Sequence, residues 1–483
     1  MTGSLLQYGQ AELPTENSTH SYWHRDPSRK LLGHRTTSDL PPKADIVVIG
    51  SGITGTFAAR ELIAGGRGVV MLDAREACWG ATGRNGGHCH PGVWNNTPEV
   101  ARFELATFNL IRGLVAEHDI PCSWHVAGGV HPIFPPEVLA AARKRISSLQ
   151  QHPDLRDKAV LIQDSDELAA RRVAPGALAA VYQPNAARCW AYKLVTWLLE
   201  RLLAEHDAVA FNLQTNTPVE RIQRRGSSWI LHTPRGSVCA GDVLLASNAY
   251  TSHLLPQMAG LILPVRGQVC ALEPLPGAPH LPHNYVWIKS EERQYFTHQY
   301  LIQLGPQGEE DDGGEWSLSP AEDRPLVFGC DYTAPGRGEG ISRDDEVDPI
   351  LSRILHMGLS KAVKLLPGDQ PEREELRVAY EWTGIMGYSL DGGPWVGRVP
   401  EALMHNLDVE GDVGGLWISA GYTGHGMPVA ARCGVAVAEM MLGKEGGIQV
   451  PIQWIASEER AERARGLDIP RTIEEMGTMM VTE

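Results

Sequence analysis

The chain has 483 residues, more than one hydrophobic core usually supports, so two or three domains are expected. A formal net charge of −15 argues against nucleic acid, whose affinity comes from neutralising phosphates, and against docking on an anionic membrane. No apolar run approaches the roughly 18 residues of a membrane helix, and 43% hydrophobic with 21% charged residues is ordinary for a globular protein.

Met1 to His20 has neither a basic stretch nor an apolar run, so no signal peptide is expected. Eight cysteines without a C-x-x-C pair fit reduced thiols, and the expected location is the cytoplasm. Residues 1–43 are polar and turn-rich and read as an arm packed on the body.

Ala44 to Arg75 is a β-α-β pattern: a buried strand at Ile46-Val-Val-Ile49, a helix over Gly55 to Ala64, and a second buried strand at Val69-Val-Met-Leu72. A second Gly-rich stretch follows. Residues 99–118 and 137–150 have helical spacing, and Val160 to Arg172 reads as a strand and then a helix. Ala191 to His206 is a strong helix. Strands are expected at Val209 to Asn212, Val219 to Ile222, Trp229 to Thr233 and Val243 to Ser247. Further strands fall at Val269 to Leu272, Tyr295 to Leu304 and Leu326 to Cys330, broken by an acidic insert, Gly305 to Asp323, expected to be a mobile loop. Asp348 to Leu366 reads as helix, Leu416 to Ser419 as a last strand and Val429 to Leu442 as a closing helix.

The fold class is therefore α/β: a Rossmann-type dinucleotide domain with an inserted β-rich α+β substrate domain. The expected division gives 44–120, 185–260 and 380–445 to the first domain, 121–184 and 261–379 to the second, and 446–483 to a tail.

Gly50-Ser-Gly52-Ile53-Thr54-Gly55 follows a predicted strand and opens a predicted helix, the context the dinucleotide fingerprint requires. Gly50 allows the tight turn, Gly52 admits a pyrophosphate to the backbone, and Gly55 lets helix and strand pack closely. Asp73 lies at the end of the second strand, where an acid accepts ribose hydroxyls.

With Gly80-Ala-Thr-Gly-Arg-Asn-Gly-Gly-His88, Pro264-Val-Arg-Gly-Gln268, Trp382-Thr-Gly384 through Asp391-Gly-Gly-Pro394, and Gly421-Tyr-Thr-Gly-His-Gly-Met427, the chain resembles the D-amino-acid oxidase superfamily. It looks most like the branch of γ-glutamylputrescine, sarcosine and glycine oxidases. The resemblance runs from about Ser21 to Gly443. It implies FAD as cofactor, with contacts from Gly50, Gly52, Ile53, Thr54, Gly55, Asp73, Ala74 and Arg75 at the nucleotide end. Gly80, Ala81, Thr82, Arg84, Asn85, Gly86, Gly87 and His88 would run over the ring and pyrophosphate. Val219 would hold the adenine side, with Ser247 and Asn248 nearby. Gly421, Tyr422, Thr423, Gly424, His425, Gly426 and Met427 would sit at the pyrimidine edge. Some relatives tether FAD through a cysteine at the position of Gly384, and others through a histidine. The Gly384 departure predicts non-covalent FAD, with His88 as the remaining tether.

His298, Tyr300, Trp382, Tyr388 and His425 are the candidate catalytic residues. Each also reads as an ordinary strand aromatic or, for His425, as a residue shaping the flavin pocket. Arg84 is the charged residue best placed by sequence to reach phosphate or ring. No metal site is expected, because the histidines flanking Cys89 lack partners at ligand spacing. The implied reaction oxidises an amine C–N bond to an imine and reduces oxygen to hydrogen peroxide, with a small amine and molecular oxygen as the only partners. A dehydrogenase, a desaturating tailoring enzyme for a larger metabolite, and a non-catalytic flavin-bound assembly factor are the alternatives.

Overall fold

A computed structural model describes the chain apart from residues 1–5, 292–294, 306–323, 332–337, 369–374, 405–406, 408–413 and 468–483. At 288–291, 295–298, 331 and 360 only the backbone is described. The acidic insert expected as a mobile loop lies, beyond Gly305, outside the described residues.

The first sheet has a parallel core. Lys43–Ile49 lies between Val69–Leu72 and Gly236–Leu245, with Phe211–Gln214 beyond Val69–Leu72 and Leu416–Ala420 beyond Gly236–Leu245. Ile46 to Ile49 and Val69 to Leu72 are wholly buried, as expected for strands covered on both faces. The crossover helix Ile53–Ala64 and the closing helix Ala430–Met441 pack on each other. An antiparallel pair, Arg221–Arg225 and Ser228–Thr233, extends one edge, so the strand expected from Val219 begins two residues later.

The second sheet has eight strands in the order Val378–Ser389, Ile262–Leu272, Leu326–Asp331, Tyr295–Gln303, Asn284–Glu291, Gly129–Ile133, Ala179–Gln183, Val160–Ile162. All its neighbours are antiparallel except Asn284–Glu291 with Gly129–Ile133. The expected domain division needs one correction here. Residues 380–389, expected in the dinucleotide domain, pair along Ile262–Leu272, with Gly267 opposite Gly384. Glycines on both strands weaken the β signal, so the pairing of these two glycine-bearing motifs is hidden in the sequence. The predicted helix over 348–366 also shortens to Pro349–Met357, capped by the Asp348 carboxylate and ending at Gly358.

In the N-terminal segment Tyr22 and Trp23 are buried. The tail is docked as far as it is described, because buried Arg460 holds Asp391 at 2.7 and 2.8 Å and donates to three carbonyls. No described helix is long and apolar enough to cross a membrane.

Candidate cofactor and substrate cleft

Three of the first sheet's parallel strands end side by side, at Ile49, Leu245 and Ala420, and a cleft of about 360 Å³ opens at those carboxyl ends. Open α/β sheets bind ligands in this crevice. Gly50 leaves the first strand at φ +107°, where a Cβ would meet the Ala246 carbonyl oxygen at 2.6 Å. At Gly55 a Cβ would come within 2.0 Å of the Gly50 oxygen, so helix and strand approach as closely as the fingerprint predicts. Gly55 itself packs behind the cleft, whereas Gly50, Gly52, Ile53 and Thr54 line it.

Asp73, Ala74, Arg75, Val219, Ser247 and Asn248 line the same end. Burial pushes the Asp73 carboxyl above its usual range, against bonds donated by the Ser51 N–H at 2.9 Å, the Ser51 hydroxyl, and the Arg75 N–H at 3.0 Å. Tyr422 ties the two ends of the chain together: its hydroxyl lies 2.9 Å from Thr54 Oγ1 and 2.8 Å from Ser419 Oγ.

The second glycine loop is clamped from outside. Trp23 and Trp382 donate indole N–H groups to the carbonyls of Asn85 and Arg84, and Ser21 donates to that of Gly83. Gly80, Ala81, Thr82, Arg84, Asn85, Gly86 and His88 line the cleft, while Gly87 packs on Trp23. Two expectations change. Trp382 is fully buried behind the loop, off the cleft wall, because its one polar atom is spent on Arg84 O. The Arg84 guanidinium is taken up by protein groups: it donates to Thr383 O at 2.6 Å and to Thr19 and Ser18, and lies 3.4 Å from Asp344. Asp344, also fully buried, holds Arg75 at 2.9 Å and accepts from Thr15. The arm at Thr15, the chain after the second strand at Arg75 and the second glycine loop at Arg84 therefore meet at one carboxylate.

At the other end the walls are aromatic and imidazole. Tyr300 packs on Gly86, where a Cβ would meet its ring at 2.0 Å, and Tyr388 lines the cleft from Val378–Ser389. Gly384 lies against Arg84 Cβ, while Thr423, Gly424, His425, Gly426 and Met427 close the edge with Pro428. Gly421 supports that turn by donating to Asn248 Oδ1 at 3.0 Å. His298 sits in Tyr295–Gln303, but its side chain lies outside the described residues.

His88, His90, His131 and His425 all reach this end. Burial, followed by neighbouring imidazoles, holds His88 and His90 well below the ordinary histidine range and His131 down to about 3. His425 goes the other way. Burial opposes its charge, but the Glu104 carboxylate, 2% exposed and 2.9 Å from Nε2, outweighs it and raises the pKa. Its side chain is 36% exposed.

Sequence reasoning missed Glu104, His131, Gln183, Asn95 and Asp344. Glu104 left a signal: it is an acid on the apolar stripe Val100, Phe103, Thr107, Phe108, Ile111 of helix Pro98–His118. The others are brought in by tertiary pairing. Among the described residues no three His, Cys, Asp or Glu groups are placed to hold a metal.

Two sheets, a backbone cradle at the carboxyl ends of parallel strands, and an acid at the second strand define a dinucleotide-binding protein. The cradle fits FAD: glycine main chain surrounds the end of the cleft where Asp73 presents its carboxylate. The family model for FAD dependent oxidoreductases (DAO) matches residues 45–440, and the chain belongs to that family. It is an FAD-dependent enzyme. It is 26% identical over 427 residues to a probable oxidoreductase, OrdL, of Rhizobium meliloti, covering 83% of this chain and 84% of that one. A γ-glutamylputrescine oxidoreductase of Escherichia coli is 22% identical over 418 residues, with the same coverage of 83% and 84%. Among solved structures, glycine oxidase from Geobacillus kaustophilus superposes with a TM-score of 0.65 at 19% identity, covering 86% of this chain and 99% of its own. L-proline dehydrogenase from P. horikoshii matches at 0.65 and 21%, covering 88% and 99%.

Proposed function

We propose that the protein is a flavin-dependent amine oxidase, converting an amine C–N bond to an imine and reducing oxygen to hydrogen peroxide. The observation that carries the reading is one continuous cleft, a glycine-built cradle at one end and neutral imidazole and tyrosine walls at the other. Relatives named for γ-glutamylputrescine and glycine support carrying C–N chemistry over. FAD, when bound, supplies the two-electron acceptor that no side chain here provides.

The chain's own residues have separable tasks. Gly50, Gly52 and the N-terminus of helix Ile53–Ala64 take the pyrophosphate, Asp73 the ribose, and Val219 the adenine side. Gly80 to His88 and Gly421 to Met427 flank the ring. None of the eight free cysteines lines the cleft, and glycine stands at 384, which supports non-covalent FAD. Tyr300 and Tyr388 exclude water, and the neutral histidines leave an ammonium group unpaired, so the amine enters as its free base. His425, whose pKa the Glu104 carboxylate raises, would place its positive charge, when protonated, where reduction adds negative charge. The free thiols and the absence of a described membrane helix support a cytoplasmic location.

Pro428 lines the cleft directly after Met427 and offers neither charge nor N–H, so an α-carboxylate finds no clamp there. Amines lacking it should be oxidised faster than the matching N-methyl amino acids. The test is anaerobic mixing of the yellow protein with primary, secondary and cyclic amines, then admission of air with a peroxide assay. Bleaching that grows from pH 6 toward the alkylamine value of about 10.4 is expected, since only the free base reacts. If no amine bleaches the flavin, the reading fails. Bleaching without peroxide would make the protein a dehydrogenase, as the proline dehydrogenase likeness allows.

A further inference from the structure

Part of the cleft wall comes from outside the family match. Leu13 and Pro14 line the cleft, and both precede residue 45, where that match begins. Ordering chain across a cleft costs conformational entropy, and here anchors on both sides of the pair offset it. Before the pair, the Ala11 N–H donates to Ser252 Oγ at 2.9 Å, the Glu12 N–H to Ser342 Oγ at 3.1 Å, and the Tyr8 hydroxyl to Glu339. Gly9 permits the close approach: at φ +77° a Cβ there would meet Leu263 Cδ2 at 2.5 Å and Gly260 N at 3.0 Å. After the pair, the Thr15 hydroxyl donates to Asp344 Oδ1 at 2.6 Å, and the Thr19 N–H to the Asp344 carbonyl at 2.7 Å.

These anchors locate the pair. Asp344 also holds Arg75 at 2.9 Å, and Arg75 Nη1 lies 3.5 Å from the Thr15 carbonyl. Ser252 belongs to the short helix Thr251–Leu254, whose His253 and Leu254 line the cleft. Residues 12–14 therefore span from that helix to Arg75, at the end of the cleft where Asp73 and Val219 stand.

The chemistry of the pair suits a flat ring. Neither side chain carries a polar atom, and Pro14 has no N–H to satisfy. Both residues are half-buried, and Val219 and Leu254 add apolar surface at the same end. Adenine brings a broad ring face, the one part of the nucleotide that neither the glycine main chain nor Asp73 addresses.

We propose that Leu13 and Pro14 are cofactor-binding residues: the arm is a strap whose apolar pair roofs the adenine ring of FAD, fastened by Ser252 and Ser342 on one side and Asp344 on the other. The inference rests on the placement of adenine at Val219 under the proposed function. Ser342 and Asp344 belong to the chain between strands Leu326–Asp331 and Val378–Ser389, so the strap ties the nucleotide end to the second sheet.

Wild-type protein loaded with FAD that bears a photoreactive azide on its adenine tests the contact without any substitution. Irradiation should label the peptide containing Leu13 and Pro14. Label confined to peptides around Val219 and Leu254 would overturn the strap and leave the adenine placement standing. Label on none of these peptides would overturn the placement as well. The FAD dissociation constant supplies the energetic side. Leu13→Ala combined with Pro14→Ala should raise it at least about fivefold, since apolar contact area is lost. Thr15→Val unfastens the strap from Asp344 and leaves the roof itself intact, so it should raise the constant less and lower the labelling of the arm. Constants equal to that of the wild type in both variants would overturn the proposal.

Discussion

The two ends of the cleft are made of different material. The nucleotide end is main chain: Gly50, Gly52 and the opening turn of helix Ile53–Ala64, with one short acid, Asp73, all within a stretch of 24 residues from Gly50 to Asp73. The histidine end is side chain, gathered from the second glycine loop, helix Pro98–His118, strands Gly129–Ile133 and Ala179–Gln183, and the turn at His425. Backbone recognition suits a cofactor whose phosphate and ribose never vary. Side chains drawn from five elements can be exchanged one at a time, which suits a substrate that differs between relatives.

The contrast implies that the nucleotide end fails as a unit and the far end by degrees. The largest effect is expected at Asp344. Removing it leaves the buried guanidiniums of Arg75 and Arg84 without their shared anion, a loss of about 3–5 kcal/mol. Urea unfolding of Asp344→Ala measures this, and a cost below about 1 kcal/mol would mean the two cations find other partners. Asp73→Ala comes next. It removes one charge-assisted contact to ribose and should weaken FAD binding by about 1–3 kcal/mol, read as the FAD dissociation constant. An unchanged constant would break the assignment of this end to the nucleotide.

The same division explains what was legible. The Gly50–Gly55 turn and Asp73 could be read because strand, turn, helix and acid follow one another in sequence. Residues 380–389 read as part of the dinucleotide domain, since Gly267 and Gly384 hide the pairing of two strands that are more than a hundred positions apart. Arg84 was read for its reach, but the Asp344 carboxylate that captures it is contributed by chain some 260 positions away. His131 and Gln183 gained a role only through the antiparallel pairing of their strands, with Gly129 opposite Gln183 and His131 opposite Val181. Spacing carries local geometry, whereas convergence requires topology.

The smallest expected effect is at Glu104, and it sharpens the comparison most. His425 is raised because the attraction of Glu104 exceeds the burial penalty. A raised folded-state value stabilises fully below the unfolded histidine value of about 6.5, and the contribution is lost as pH climbs through the folded value. Glu104→Gln keeps the shape and removes the charge, so its imidazole should lose its proton at lower pH than the wild type. The wild type should therefore exceed the variant in stability at pH 6 and lose that margin as pH rises toward 9. With about a third of the His425 side chain exposed, the pH-dependent part should stay under about 1 kcal/mol. Denaturant unfolding of both proteins across this range measures the gap. A gap that does not change with pH would mean that His425 is neutral, and the far end would then hold no fixed cation among its described residues.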